Sequence, residues 1–318
     1  MVTNLITGGM GFVGAYLARE LLADGEEVVL FQRRSKLPPF LADLEGKVKI
    51  VSGDVSNWVH VVDAVKNNNV DCIYHTAALL SKDCHASPAV GFQVNVVGTF
   101  NILEAARILG VSHVIYTSTG YAESLTPPGR FFDDTLLRPA NMYQTTKLCS
   151  EHLGAQYSRE YEVDFRGMRI GMIIGPNRQL SYLYGDYSGA IEKAAQGESY
   201  TIHVDPTIPQ AIIYVKDVAQ AAIALKRAAR NKLRQPMYNI HGFTSTMQEI
   251  VDAVKKYLPE AQIDFDWDKS EVMRIANMDN NYEMDNTSVR EDTGWQPQYL
   301  LDGTVSDFIN EVKAGRAG

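Results

Sequence analysis

Up to about residue 170, short apolar runs alternate with longer amphipathic stretches. The runs at 5–7, 28–31, 48–51, 71–75, 113–116 and 164–170 read as strands. Between them, apolar residues recur at helical spacing over 12–22, around 61–65, and over 94–109 and 143–161. Strands alternating with helices imply parallel strands joined by right-handed crossovers, with helices on both faces. The fold class expected is therefore α/β, a doubly wound parallel sheet. After Gly175-Pro176 the rhythm loosens. The stretch 177–209 is rich in Tyr, Gly and Pro and holds one helix near 189–196. Beyond it come helices at 215–230, 247–257 and 303–313 and strands at 237–240 and 263–267. No internal repeat or low-complexity tract interrupts the chain.

The first strand runs into Thr7-Gly8-Gly9-Met10-Gly11-Phe12-Val13-Gly14. Gly9, Gly11 and Gly14 satisfy G-x-G-x-x-G, and Gly8, Gly11 and Gly14 satisfy G-x-x-G-x-x-G. Placed between a strand and a helix, such a loop turns tightly, lets a pyrophosphate approach the backbone, and offers it unpaired helix N–H groups. This predicts a Rossmann dinucleotide-binding domain over 1–175, joined by 211–240. A smaller α/β substrate domain is expected from 176–210 and 241–318. The second strand ends Phe31-Gln32-Arg33-Arg34. The carboxylate that would mark NAD is absent there. Two guanidiniums stand where an adenosine 2′-phosphate would lie, so NADP is preferred, with NAD as the alternative.

Tyr143 and Lys147 fall one turn apart on one face of a helix. A phenol titrating near pH 10 is a poor base at neutral pH. A neighbouring ammonium and a positive nicotinamide both favour the phenolate. Tyr143 could then exchange a proton with a substrate hydroxyl or carbonyl during hydride transfer. Thr117, Ser118 and Thr119 put hydroxyls at the C-terminal end of the fifth strand, the edge where open α/β sheets bind ligands.

Composition narrows the partners. Of 318 residues, 45% are hydrophobic and 21% charged, as in an ordinary globular protein. The net charge of -8 gives no general attraction to nucleic acid or anionic membrane. Cys72, Cys84 and Cys149 match no metal or disulfide spacing, and no metal site is expected. No apolar run approaches the roughly 18 residues that cross a bilayer, and no basic leader opens the chain, so the expectation is a cytoplasmic protein.

Taken together in order and spacing, these motifs resemble the extended short-chain dehydrogenase/reductase family, the NAD-dependent epimerase/dehydratases. The resemblance includes the glycine loop, Gly53-Asp54, His75-Thr76-Ala77-Ala78, Asn95 to Thr99, Ser118-Thr119 and Tyr143 to Lys147. It extends through Arg169 to Pro176, Tyr214-Val215-Lys216-Asp217 and Gly294-Trp295-Gln296-Pro297. It implies that Thr119, Tyr143 and Lys147 are catalytic, with Lys147 also holding the nicotinamide ribose. It implies that Asp54 and Val55 meet the adenine, and that Thr76, Ala77, Ala78, Asn95, Ile170 and Met172 line the cofactor trough with Gly8 to Gly14 and Gln32 to Arg34. Leu80, Ser81, Ser118, Thr119 and Tyr143 would face the substrate, with Ser118 a second candidate beside Thr119. His75 is expected to be structural. The resemblance also implies a homodimer through the helices at 94–109 and 143–161, using Val97, Phe100, Leu103, Leu148 and Leu153.

Two positions depart from the nucleotide-sugar members. Met172 replaces a frequent Asn and Gln210 a frequent Arg, both of which hold the nucleotide; Arg274 is a substitute phosphate contact. Ala77 to Ser81, Arg138 to Lys147, Asp285-Asn286-Thr287 and Gly294-Trp295 look instead like the L-threonine dehydrogenase branch, although that branch keeps an acid on the second strand. The leading expectation is an NAD(P)-dependent oxidoreductase acting on a small hydroxy or carbonyl compound. A nucleotide-sugar epimerase or dehydratase is the alternative, and a cofactor-sensing binding protein a third reading.

Overall fold

A computed structural model of the chain describes residues 2–120, 129–178, 185–267 and 282–315. Seven strands form one parallel sheet: β1 (Thr3–Thr7), β2 (Glu27–Gln32), β3 (Lys49–Ser52), β4 (Cys72–His75), β5 (His113–Thr119), β7 (Phe165–Ile170) and β11 (Met237–Ile240), in the order β3-β2-β1-β4-β5-β7-β11. The chain is thus α/β and Rossmann-like. Its central strands are buried on both faces, as a parallel sheet with helices on each side requires, and the edge strand β3 is only partly covered. One side carries α1 (Phe12–Ala23) and α8 (Val215–Arg227), which pack on each other; the other carries α2 (Trp58–Lys66), α5 (Gly98–Leu109) and α6 (Met142–Glu160).

Several elements differ from the expectation for identifiable reasons. β5 runs on to Thr119, so Ser118 and Thr119 lie within a strand and point to opposite faces. The helix expected over 94–109 is broken: Gln93–Val97 is a π-helical turn leading into α5. That wider turn leaves the Asn95 carbonyl to accept from the Thr99 and Ser150 hydroxyls, at 2.6 and 2.9 Å. α7 (Gly185–Gln196) begins four residues before the expected start, and the expected strand 263–267 shortens to β13 (Ile263–Phe265) beside β9 (Tyr200–Ile202). The short helices α3 (Ser81–Ala86) and α4 (Pro88–Phe92) were not anticipated. Leu103, expected at a subunit contact, is fully buried in the chain's own core.

A small second sheet, β12 (Phe243–Ser245), β10 (Gln210–Tyr214) and β8 (Met172–Ile174), begins where β7 ends. Gly171 makes the transfer. Its N–H still donates to the Ile240 carbonyl at 2.9 Å, and a Cβ there would lie 2.6 Å from the Ala211 carbonyl oxygen. A fourth pairing joins β6 (Gly129–Phe131) to β14 (Tyr282–Met284).

The C-terminal part is fastened to α8 by charge and by backbone. Both Asp217 carboxylate oxygens accept N–H bonds, from Gln298 at 2.8 Å and Tyr299 at 3.0 Å. Lys216 pairs with Asp307 and Glu311 on the helix Leu301–Lys313, at 2.7 and 3.0 Å, and Tyr214 donates to Asp307 at 2.8 Å. Asp217 of the Tyr214 to Asp217 motif thereby holds the backbone directly after the Gly294 to Pro297 motif. Among the described residues no helix is long and apolar enough to cross a membrane. No group of three or more His, Cys, Asp or Glu among them could hold a metal ion.

Candidate active site

The glycine loop turns at the C-terminal edge of the sheet. Gly8 has a left-handed backbone (φ 66°), and a Cβ on it would lie 3.0 Å from the backbone N and Cα of Ala77. A Cβ on Gly14 would lie 2.7 Å from the Gly8 oxygen, and one on Gly11 3.0 Å from the same atom. The loop therefore folds as the Gly8, Gly11, Gly14 spacing requires, with the β4 end against it. α1 starts at Phe12 with no side-chain cap and no acidic residue in its first turn. Its first N–H groups and positive dipole end suit an anionic pyrophosphate. Met10 is buried, and Phe12 and Val13 pack partly against the main core.

Gln32 closes β2, and Arg33 and Arg34 beside it are exposed. Across from them, after β3, Asp54 accepts from the Ser56 N–H at 2.9 Å and hydroxyl at 2.7 Å. Burial raises its pKa, but the Ser56 bonds and the Arg33 charge outweigh this and hold it below the usual carboxylate range. Val55 is buried against Gly98.

A chain of hydrogen bonds fixes the β4 end. Thr99 gives its proton to the Asn95 carbonyl, so it receives one from His75 Nε2 at 3.0 Å. His75 Nδ1 is then left to accept from Thr7 Oγ1 at 2.7 Å, and that oxygen accepts from the Ala77 N–H at 3.2 Å. Thr76 donates to the Thr7 carbonyl at 2.7 Å, and Ala78 follows half-buried. His75 is structural: both ring nitrogens are used, and burial followed by the Lys147 charge pulls its pKa down to about 3. The buried Asn95 amide holds the Leu79 N–H and carbonyl at 2.8 and 3.0 Å, and donates to Thr146 Oγ1 at 3.0 Å. This side chain ties the Leu79 loop to α6. Leu80 and Ser81 follow, exposed, at the start of α3.

α6 carries the reactive pair. Asn141 caps it by accepting from the Gln144 N–H at 3.0 Å. Gly154 lets it lie close to β7, since a Cβ there would fall 2.2 Å from the Phe165 ring. Half-buried Tyr143 is hydrogen-bonded to Thr119, the last residue of β5. Burial and then Cys84 push the Tyr143 phenol upward; Arg178 and the Thr119 bond pull the other way. Lys147, one turn on, is 3% exposed, with its Nζ 4.4 Å from the centre of the Tyr116 ring. Burial pulls its pKa down to about 7 against the opposing charges of Glu151 and Cys84.

Ser118 does not join this group. Pointing to the α6 face of β5, as Tyr116 does, its hydroxyl is bonded to the buried Glu151. Ile170 and Met172 flank Gly171 as buried members of the main core. Glu151, Cys84 and Arg178 were not expected near the pair. Glu151 was legible, one helical turn beyond Lys147. Cys84 and Arg178 arrive from α3 and from the segment after β8, and no local pattern signals either. Arg274 lies outside the described residues.

The family model described as NAD dependent epimerase/dehydratase matches residues 4–240. The chain belongs to this family. L-threonine 3-dehydrogenase, mitochondrial, of Bos taurus is 27% identical over 308 residues, spanning 96% of this chain and 81% of that protein. The solved L-threonine dehydrogenase of Clostridium difficile is 27% identical with a TM-score of 0.89, covering 100% of this chain and 99% of that one. A UDP-glucose 4-epimerase of Thermus thermophilus, solved with NAD, shares the fold at 23% identity and a TM-score of 0.81, covering 98% and 99% of the two chains. The chain is thus an enzyme of an NAD-dependent epimerase/dehydratase family whose relatives include dehydrogenases and epimerases.

The neutral, buried His75 makes stability depend on pH. Unfolding returns the imidazole to a pKa near 6.5, so between pH 6.5 and about 3 the unfolded state binds a proton that the folded state does not. The stability from this group is complete above pH 6.5 and is lost as pH falls toward 3, by up to about 1.4 kcal/mol per pH unit. Urea unfolding at a series of pH values should show a shallower slope in this window for His75→Gln than for the parent. Equal slopes would exclude the assignment.

Proposed function

We propose that the enzyme is an NAD(P)-dependent dehydrogenase or reductase acting on a small hydroxy or carbonyl compound. The observation that carries the reading is the convergence of Thr119, Tyr143 and Lys147: two hydrogen-bonded hydroxyls with an ammonium one turn away, beside a glycine loop suited to a dinucleotide. A bound nicotinamide supplies the hydride acceptor or donor and, when oxidised, a positive charge. Thr119 orients the substrate oxygen. Tyr143 takes the hydroxyl proton during oxidation and returns it during reduction. Arg178 and the Thr119 hydrogen bond favour the phenolate, the form that burial opposes, and Lys147 would hold the nicotinamide ribose.

The small-substrate reading rests on two buried positions. Met172 and Gln210, where a nucleotide sugar would meet an amide and a guanidinium, are 1% and 7% exposed. Burying a diphosphate without matched donors is costly. The names of the threonine dehydrogenase relatives point the same way. Tyr143→Phe should lower kcat by a factor on the order of 100 or more, with nicotinamide binding little changed. The assay is nicotinamide absorbance over amino alcohols, hydroxy acids and simple carbonyls, run beside UDP- and dTDP-sugars. Undiminished turnover in the variant would refute the role of Tyr143. A sugar isomer formed without net cofactor change would favour the epimerase.

NADP is the proposed preference. The exposed Arg33 and Arg34 follow β2 directly, and no ion pair among the described residues occupies either side chain. Replacing both with Ala should lower kcat/KM for NADP about tenfold or more, a loss of about 1.4 kcal/mol, while sparing NAD. A parent enzyme that uses both cofactors equally well would rule out the clamp.

A homodimer is proposed through the outer faces of α4, α5 and α6. Phe92, Phe100, Ile108 and Tyr161 are exposed there, with Phe100 and Tyr161 both against Tyr157. Paired helices from two copies could cover these apolar side chains with isologous symmetry. Light scattering at micromolar concentration should report twice the chain mass, and Phe100→Glu should shift it toward the monomer. A parent protein that is monomeric throughout would reject the interface.

A further inference from the structure

The Tyr143–Lys147 pair rests on a buried ionic network that the proposed chemistry does not itself use. Glu151 lies one turn beyond Lys147 on α6 and is 3% exposed. One of its oxygens, Oε2, accepts from Arg169 Nε at 2.9 Å and Nη2 at 2.7 Å, a forked pair that reaches α6 from β7. Its other oxygen accepts from the Ser118 hydroxyl on β5. Arg169 extends the network by donating to the Asp133 carbonyl at 2.7 Å. Ser118 is the immediate neighbour of Thr119, which is bonded to Tyr143. The same carboxylate thus anchors the strand that presents Thr119 and the helix that presents Tyr143 and Lys147.

We propose that Glu151, clamped by Arg169 and Ser118, is a positioning residue for the reaction: it supplies the counter-charge that favours the ammonium form of the buried Lys147 and locks the Thr119 end of β5 to α6. The proposal deepens the function above and rests on that reading for its catalytic consequence. The charged and titratable groups around Lys147 come from four elements. Tyr143 and Glu151 lie on its own helix, Tyr116 on β5, Cys84 on α3 and His75 on β4. His75 is neutral, and burial keeps the Cys84 thiol raised, so at neutral pH Glu151 is the carboxylate in this set. Removing its charge removes an attraction that opposes the burial of Lys147.

The test is the titration of Lys147 itself, followed by carbon NMR of the lysine Cε and assigned by the signal lost in Lys147→Arg. It needs no substrate, so its result is separate from the success or failure of the functional reading. Glu151→Gln should lower the Lys147 midpoint by roughly one pH unit and move the alkaline limb of the kcat/KM profile down with it. Because that variant leaves Arg169 buried and unpaired, Glu151→Gln is also combined with Arg169→Gln, which removes both charges; losing the more distant cation offsets part of the effect, so a smaller downward shift is expected. Ser118→Ala keeps the carboxylate, so the Lys147 midpoint should hold while kcat falls on the order of tenfold from lost alignment of Thr119. A Lys147 midpoint that does not move in Glu151→Gln overturns the proposal, as does a Ser118→Ala enzyme with the parent kcat.

Discussion

An ammonium taken out of water must be given a substitute for it. Lys147 is 3% exposed, and its surroundings meet that demand with the face of the Tyr116 ring and the carboxylate of Glu151. Glu151 is itself buried and needs partners of its own, which Arg169 and Ser118 provide. The demand therefore propagates from α6 to β5 and separately to β7, and from β7 on to the backbone at Asp133. A buried charge that loses its partner costs several kcal/mol. These side chains consequently hold or fail as a unit, and Tyr143 and Thr119 inherit their positions from it.

A second, uncharged network does the same on the other side of the cofactor edge. Thr7, His75, Thr99 and Asn95 form a line of hydrogen bonds from the first strand to the π-turn before α5. Asn95 then reaches both the Leu79 loop and Thr146, three residues after Tyr143. Such a line works only if His75 stays neutral, because a protonated ring would have no acceptor for Thr7. The field of Lys147 reinforces that neutrality. The charged network and the neutral one are thus coupled: the ammonium that Glu151 favours also disfavours charge on His75.

How legible this was depended on the range over which each signal acts. The central strands, the glycine loop and the one-turn spacing of Tyr143 and Lys147 are local patterns, and each could be read directly. The parallel pairing of β6 with β14 joins segments more than a hundred residues apart, and strands of three residues carry too little periodicity to be recognised. Ser118 and Thr119 were grouped together because both are hydroxyls at a strand end. Once β5 extends through both, alternation sends one to Glu151 and the other to Tyr143. The π-turn directs the Asn95 amide to the backbone of Leu79, a contact that no local pattern signals. Buried networks of this kind depend on partners brought together by topology, which no window along the chain contains.

The transfer at Gly171 bears on specificity. β7 ends in the cofactor sheet at Ile170, and β8 begins the small sheet at Met172, with one glycine between them. There is no linker here to act as a hinge, and a side chain at Gly171 would strike the Ala211 carbonyl. One apolar cluster also runs without a break from Ile6 and Leu17 through Met172 and Ile212 to Phe308. The two sheets are thus set relative to each other by packing, in a core that resists continuous deformation. Beyond the fixed positions Met172 and Gln210, adaptation to a particular substrate can then come from the segments that leave this core near Tyr143. These are the Leu79–Ser81 turn into α3 and the stretch after β8 that brings Arg178 within electrostatic reach of the phenol. A cationic side chain at that point favours the phenolate and would also attract an anionic substrate group, so charge selection and acid–base tuning are linked through one residue.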